Sequence, residues 1–151
     1  MRVSVEYDQY CTEDYHSGEQ FGVWRTSFNS SVTGVRVLDD DENSVYNSET
    51  FLLPDDTTTA YVVYMIYGSG DSFGHSSGNI DIIHCTASSD KAHALAKMIT
   101  DNPNEYSIKF TDDFDREISI YNNGAGYFEH IDYVEVLSFD LNGQPRRYHV
   151  N

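Results

Sequence analysis

Apolar and polar residues alternate along several short segments of the chain, and this pattern predicts β-strands with one buried face. The predicted strands of this kind cover residues 3–11, 22–28, 33–38, 105–110, 116–121 and 131–141. The Asn142-Gly143 pair that follows is typical of a two-residue hairpin turn. It predicts that residues 146–150 fold back as a final strand.

The middle of the chain shows a different pattern, because residues 60–67 read AYVVYMIY and are apolar on both faces. A strand of this kind is buried on two sides, so it is predicted to lie in the interior of a sheet. Residues 80–86, IDIIHCT, predict a second strand. The residues between them, 68–79, are rich in Gly and Ser and are predicted to form a loop.

One helix is predicted over about residues 89–101. Ser88 or Ser89 can cap its first turn, where Asp90 places a negative charge that the helix dipole favours. The apolar stripe at helical spacing consists of Ala92, Leu95, Ala96 and Ile99. Pro103 ends the pattern. The predicted fold is one α+β domain over the whole chain, a mostly antiparallel sheet with this helix packed on one face.

The charge of the chain limits its ligands. Its 151 residues include 9 Lys and Arg against 25 Asp and Glu, which gives a formal net charge of −16 and a pI near 4.4. Nucleic acid and anionic membranes are therefore predicted to be poor direct ligands. The chain shows no apolar run of membrane-spanning length and no signal-like start, so we expect a cytoplasmic protein. Two cysteines, Cys11 and Cys85, fit a reducing compartment, and their pairing is left open.

Three explanations of the acidic excess stay open: solubility, adaptation to a high-salt cytoplasm, and mimicry of nucleic acid. A globule of this length has a radius of gyration of about 15 Å and so a diameter of about 38 Å. Duplex DNA of that length carries about 22 phosphate charges. The net charge of −16 is of the same order. One acidic face of the protein could therefore replace a stretch of duplex in a basic groove.

The carboxylates that would form such a face are concentrated in three acidic runs between predicted strands, where loops lie on the surface. They are Asp39, Asp40, Asp41, Glu42, Asp55, Asp56, Asp112, Asp113 and Asp115. We predict that they bind a basic nucleic-acid-binding host protein, while solvated turns are the plainer interpretation. None of the runs has the spacing and glycine of an EF-hand calcium loop, and no metal or cofactor is predicted.

The predicted loop at residues 68–78 is an alternative binding site. Its glycines would let backbone N–H groups form an anion nest, so a small nucleotide or other signalling ligand is the alternative prediction. The side chains expected around such a ligand are Ser69, Asp71, Ser72, Phe73 and His75. The segment lacks the ending of a phosphate-binding P-loop, and it leads into a strand rather than a helix.

Residues 82–86, IIHCT, end a predicted strand in a His-x-Thr sequence and resemble half of a 2H phosphoesterase site. In that family two such pairs face each other across a groove, which implies that His84 and Thr86 would form one pair, with His84 as acid or base. The remaining histidines supply no second pair. A His84 bonded to backbone in a buried strand is the competing prediction. A zinc site with His75, His84 and Cys85 would have two ligands at most, because adjacent strand residues point to opposite faces.

The segment Tyr67-x-x-Gly70-Asp71-Ser72-Phe73-Gly74 resembles one in small uncharacterised acidic phage proteins, where it also follows an apolar strand and precedes a strand and a helix. The resemblance covers about residues 60–99 and implies no catalytic activity. It implies an early host-takeover product, a group that includes acidic anti-restriction and anti-CRISPR mimics of DNA. The predicted function is therefore an acidic inhibitor of a host nucleic-acid-binding or defence protein, acting in the host bacterial cytoplasm.

Overall fold

The computed structural model describes residues 1–16, 24–39, 41–43, 47–71 and 74–141. The helix and strands in this part of the chain are β1 (Arg2–His16), β2 (Trp24–Leu38), β3 (Ser48–Leu52), β4 (Thr59–Asp71), β5 (Gly74–Thr86), α1 (Ser89–Asp101), β6 (Ser107–Thr111), β7 (Glu117–Tyr121) and β8 (Glu129–Asp140). Six strands form one sheet in the order β3-β1-β2-β5-β4-β8, and β6 and β7 form a second sheet. Only β2 and β5 run parallel among the described neighbouring strands. The predicted α+β fold is confirmed.

The strands near the N-terminus are longer than predicted. Residues 22–28 and 33–38 were expected as two strands, whereas β2 runs without interruption from Trp24 to Leu38. The polar residues 29–32 obscured the alternation in the sequence, yet their backbone still pairs with β1. A polar side chain on an exposed face does not prevent pairing, since the ladder is made by backbone groups. β3 was not predicted, and the expected hairpin at residues 142–150 lies outside the described residues.

The prediction of a Gly- and Ser-rich loop at residues 68–79 is wrong. β4 extends to Asp71 and β5 begins at Gly74, and these described residues form an antiparallel pair, with Ser69 opposite Ser76 and Gly70 opposite His75. The glycines of this segment allow neighbouring strands to approach each other closely. A Cβ atom added to Gly78, which has a φ of +74°, would lie 2.1 Å from the carbonyl oxygen of Phe28 on β2. Such a position admits only glycine.

β4 is buried on both faces, as its sequence predicted, and it separates two apolar cores. The first core joins residues of β1 and β2 to residues of β4 and β5: Val3, Val5, Val35, Val62, Ile80 and Ile82. Because β1 and β4 are not neighbours in the strand order, the sheet curves until its two halves face each other across this core. The second core fills the other face of β4: Val63, Met65, Leu95, Ile99, Ile108 and Ile120.

α1 covers that second face together with the β6–β7 hairpin. Ser88 is its N-cap, and the Ser88 hydroxyl accepts a hydrogen bond from the backbone N–H of Lys91 at 3.2 Å. The apolar stripe is turned toward the sheet, so that Ala92, Leu95 and Ile99 are buried. The predicted helix and its packing on one face of the sheet are confirmed.

Candidate functional site

The pairing register brings many strand ends together at one end of the six-stranded sheet. Arg2, at the start of β1, lies opposite Leu38 and Leu52, the last residues of β2 and β3. β2 and β5 are parallel, so they end at the same side of the molecule. Thr59, at the start of β4, lies opposite Asp140, the last residue of β8. The last residues of β2, β3, β5 and β8 therefore lie at the same end of the sheet.

The described residues of all three predicted acidic runs lie at this end, which we call the acidic end. Its carboxylates are those of Asp39, Asp41, Glu42, Asp55, Asp56, Asp90, Asp113, Asp115 and Asp140. Asp39, Asp41 and Asp55 line one depression of about 620 Å³. A second depression joins Asp56 to Ala87, whose backbone N–H donates to Asp113 at 2.8 Å. Runs far apart in sequence are thus neighbours in space.

The first run, residues 39–42, is held by two arginines. The guanidinium of Arg2 donates to the carbonyl oxygens of Asp39 and Glu42 at 2.9 and 2.6 Å. The Glu42 carboxylate accepts from Arg36 at 3.1 Å and from the backbone N–H of Asp39 at 2.5 Å. Glu42 therefore stabilises the turn, and Asp41 is the exposed carboxylate of this run. Asp40 lies outside the described residues.

The second run, Asp55 and Asp56, projects into solvent between β3 and β4. The Asp55 side chain is 98% exposed and accepts a hydrogen bond from the Met1 ammonium group at 2.7 Å. That hydrogen bond and the positive charge lower the pKa of the Asp55 carboxyl. Both residues of this run are exposed, which agrees with their predicted position on the surface.

The third run departs from the predicted surface position. Asp112 is buried and accepts hydrogen bonds from the backbone N–H groups of Phe114 and Arg116 and from the Arg116 guanidinium, each at 2.9 Å. Burial alone would raise the pKa of Asp112, but these donors together hold it below its ordinary value. The tight β6–β7 turn needs an internal acceptor for its amides, and Asp112 supplies it.

Asp113 and Asp115 have different roles in that turn. The Asp113 carboxylate is half-buried, accepts from the Thr86 hydroxyl at 2.5 Å and from the N–H of Ala87, and so ties the turn to the end of β5. Asp115 has a φ of +59° and is exposed. Asp115 is therefore the carboxylate of this run that faces outward.

The cationic side chains described at the acidic end are hydrogen-bonded within the protein. Lys91 donates to the carbonyl oxygens of Thr111 and Asp112 at 3.2 and 2.7 Å. Arg2 and Arg116 bind the turns described above. The exposed carboxylates there are Asp41, Asp55, Asp56, Asp90, Asp115 and Asp140. This end of the protein consequently presents a surface of dense negative charge.

The alternative ligand site around residues 68–78 loses its structural basis. The backbone groups expected to form an anion nest belong to the β4–β5 ladder, and the N–H of Gly70 donates to the carbonyl oxygen of Phe128 at 2.8 Å. Ser69 faces the Glu129 carboxylate at 3.4 Å, a poor environment for an anion. His75 is exposed on β5. Ser72, Phe73 and the side chain of Asp71 lie outside the described part.

His84 and Thr86, the residues of the predicted phosphoesterase pair, are both buried at the end of β5. Thr86 is fully buried, and its hydroxyl donates to Asp113. The His84 ring stands edge-on to Phe51 and Phe110, with centroid distances of 5.8 and 5.9 Å. Burial lowers the pKa of His84, although the nearby aspartates oppose this effect. The competing prediction was a His84 ring bonded to backbone, and at Nε2 no such bond is present, since this buried atom has no partner among the described residues.

The cysteines and the metal-ligand candidates stay apart. Cys11 is exposed, Cys85 is buried, and both are free thiols. Burial raises the pKa of the Cys85 thiol to about 12. Within the described ranges, no group of three or more His, Cys, Asp or Glu side chains is placed to hold a metal ion.

A half-buried carboxylate on β5, that of Asp81, was not predicted from the sequence. Burial and the neighbouring charge of Glu49 raise the pKa of Asp81 to about 6, although a hydrogen bond of 2.9 Å from the Asn123 amide acts in the opposite direction. The signal was present, because Asp81 interrupts the apolar run IDII. A lone acid within a buried strand indicates a perturbed carboxyl group.

In the part of the chain that the structure describes, no helix has the length and apolar character to cross a membrane. A scan against protein-family models, a search of curated proteins and a search of solved structures find no match to this chain. The function is therefore inferred from the structure itself, and chiefly from the exposed carboxylates of the acidic end and the residues that hold them in place.

Proposed function

We propose that this protein is a stoichiometric inhibitor whose acidic end occupies the basic nucleic-acid groove of another protein. The observation that carries the proposal is the convergence of three sequence-distant acidic runs at one end of the sheet. Six carboxylates at this end are exposed, and one of them, Asp55, pairs with the Met1 ammonium group. The side chains of Arg2, Lys91 and Arg116 bind backbone carbonyl oxygens or the buried Asp112. Charge of one sign on one surface attracts a partner of opposite charge before contact.

A hydrophobic contact is available beside these charges. Phe114 is 39% exposed, lies in the same turn as Asp115, and stacks under the Arg116 guanidinium at 5.2 Å. Aromatic side chains commonly anchor protein interfaces, whereas peripheral charges mainly accelerate association. The proposed complex would combine both, with Phe114 as an anchor inside a ring of carboxylates.

The partner proposed on the sequence resemblance is a host nuclease or defence protein of bacteria, and the compartment is the host cytoplasm. For binding, the acidic end requires only that the partner has a basic groove shaped for nucleic acid. Neither the nucleotide-binding alternative nor the phosphoesterase alternative has a described contact in its favour.

The test is inhibition of DNA cleavage by a panel of purified bacterial restriction endonucleases and CRISPR effector nucleases, each with a labelled duplex substrate. The test variant is D41N/D56N/D115N, which removes three exposed charges from the acidic end. The matched control is D8N/E13Q/E105Q, which removes three exposed charges elsewhere. We expect the test variant to inhibit at least tenfold more weakly than the control, mainly through slower association, and inhibition to weaken as salt rises.

Two results would overturn the proposal. One is that no nuclease with a basic groove is inhibited at low salt. The other is that the two triple variants lose inhibition equally, which would mean that net charge rather than the acidic end decides binding. Circular dichroism of both variants verifies the fold, since exposed substitutions change stability by no more than about 0.5 kcal/mol.

A further inference from the structure

A cleft of about 350 Å³ opens between the sheet and the β6–β7 hairpin. β3 forms one wall with Phe51 and Leu52, and β7 forms the other with Ile118 and Ile120. The floor is the end of β5, where His84 lies. This volume is at the lower limit for a ligand pocket, so the cleft can accept only a small molecule.

The polar groups of the cleft favour a ligand that donates hydrogen bonds. His84 is 8% exposed, and its Nε2 atom has no hydrogen-bond partner among the described residues. A buried polar atom without a partner costs free energy, and a ligand that supplies the partner recovers it. Asp112 and Asp113 line the same cleft and are acceptors when ionised.

The charge of the cleft excludes anions. Asp112 and Asp113 outnumber Arg116, whose guanidinium is bound to Asp112 at 2.9 Å. Burial also lowers the pKa of His84, so the ring is expected to be neutral at pH 7 and to offer a lone pair as acceptor. The remaining lining residues named above are apolar or aromatic, which suits a flat hydrocarbon surface.

We propose that this cleft is a binding site for a small, uncharged heteroaromatic molecule that donates an N–H hydrogen bond to the His84 ring. The indole and related bicyclic classes match this description in size, neutrality and donor. Phe51, edge-on to the His84 ring, would cover the ligand from the β3 side. The proposal does not rest on the inhibitory function, since none of the exposed carboxylates of the acidic end lines the cleft.

The test uses NMR titration of the full chain, following the ring signals of His84 and Phe51, with three probes. Indole is expected to give saturable shifts. 1-Methylindole lacks the N–H and is expected to bind about threefold to tenfold more weakly, the value of one hydrogen bond. Indole-3-carboxylate, an anion, is expected not to bind. The variant H84F keeps an aromatic ring but has no acceptor, so it should lose the preference for indole over 1-methylindole.

A second variant and a control keep the result interpretable. Leu52 is 49% exposed on the edge strand β3, so L52W should fill the cleft without disturbing the core and should abolish indole binding. H93F changes an exposed histidine on α1 and should bind like the parent. The proposal is overturned if indole gives no saturable shift, if L52W binds indole normally, or if parent and H84F show the same preference between the two indoles.

Discussion

Asp81 shows how one residue can oppose the stability of its own strand. Its carboxyl is half-buried, feels the charge of Glu49, and has Asn123 as its hydrogen-bond donor. The raised pKa means that the folded state binds a proton more tightly than the unfolded state. This residue therefore stabilises the fold at low pH, and the contribution disappears as the pH rises from about 4 through about 6.

The variant D81N should accordingly be more stable than the parent at neutral pH. Asparagine keeps the shape and removes the charge, and its amide oxygen can still accept from Asn123. We expect a gain of roughly 1–2 kcal/mol at pH 7.5, after allowance for partial solvent screening, and almost none at pH 4. Urea denaturation at both pH values measures this difference. A gain that is equal at both would contradict it, and E49Q, which removes the repelling charge, should shrink the gain.

At the scale of elements, Asp113 connects the β6–β7 hairpin to the junction between β5 and α1. It accepts from the Thr86 hydroxyl and the Ala87 N–H, while Thr86 Oγ1 also accepts from the N–H of Ser88 at 3.1 Å. The start of α1 and the turn of the hairpin are therefore positioned by one buried network. The two-stranded sheet shares no ladder with the six described strands of the main sheet. Its orientation therefore depends on this network, on the Lys91 hydrogen bonds and on its packing in the second core.

The variant T86V tests that connection. Valine matches the shape of threonine but leaves Asp113 without its hydroxyl donor, so we expect a loss of about 1–2 kcal/mol in the free energy of unfolding. Hydrogen exchange of the β6 and β7 amides should accelerate more than that of β1. T111V, at an exposed position of β6, is the control and should change stability by less than about 0.5 kcal/mol. An unchanged exchange rate in the hairpin would show that the network does not hold it.

The elements also show where sequence reasoning succeeds. α1 and β4 were predictable because their apolar patterns are strong and their packing is governed by burial. The strand structure of residues 68–79 was not predictable. Glycine permits close contact between strands, as at Gly78, but it is also typical of loops, so the sequence does not distinguish the two roles. The inward position of Asp112 could not be predicted either. An aspartate that accepts hydrogen bonds from turn amides cannot be distinguished in the sequence from one that is solvated. The sequence predicted acidic surface runs but not their common location. The three runs come together only through the pairing register of the strands, which the sequence does not show.

At the scale of the whole molecule, the net charge of −16 includes a group of exposed carboxylates at one end of the sheet. Three runs meet at one end of the sheet, where repulsion between exposed carboxylates opposes folding. Glu42 and Asp113 reduce this cost by accepting internal donors, which leaves Asp41, Asp56 and Asp115 as the main contributors.

Salt should therefore stabilise this protein. Raising NaCl from about 0.02 to 0.5 M shortens the screening length to well below 10 Å. We expect the melting temperature to rise by a few degrees, since about 1 kcal/mol corresponds to about 2–4 °C in a chain of this size. The variant D41N/D56N/D115N should respond less than the parent in differential scanning calorimetry. An equal response would place the repulsion elsewhere on the surface.

The short parallel contact between β2 and β5 bears on how the chain reaches this fold. It pairs only Trp24–Ser27 with Gly74–Ser77, yet it is the sole ladder that joins the two described halves of the main sheet. β1 with β2, and β4 with β5, are neighbours along the chain and can associate locally. The parallel contact instead closes a long loop of chain and forms only four residue pairs. The loss of chain entropy is therefore large relative to the stabilisation from those pairs. Folding should accordingly proceed through two preformed halves, with their closure over the first core as the slow and late event.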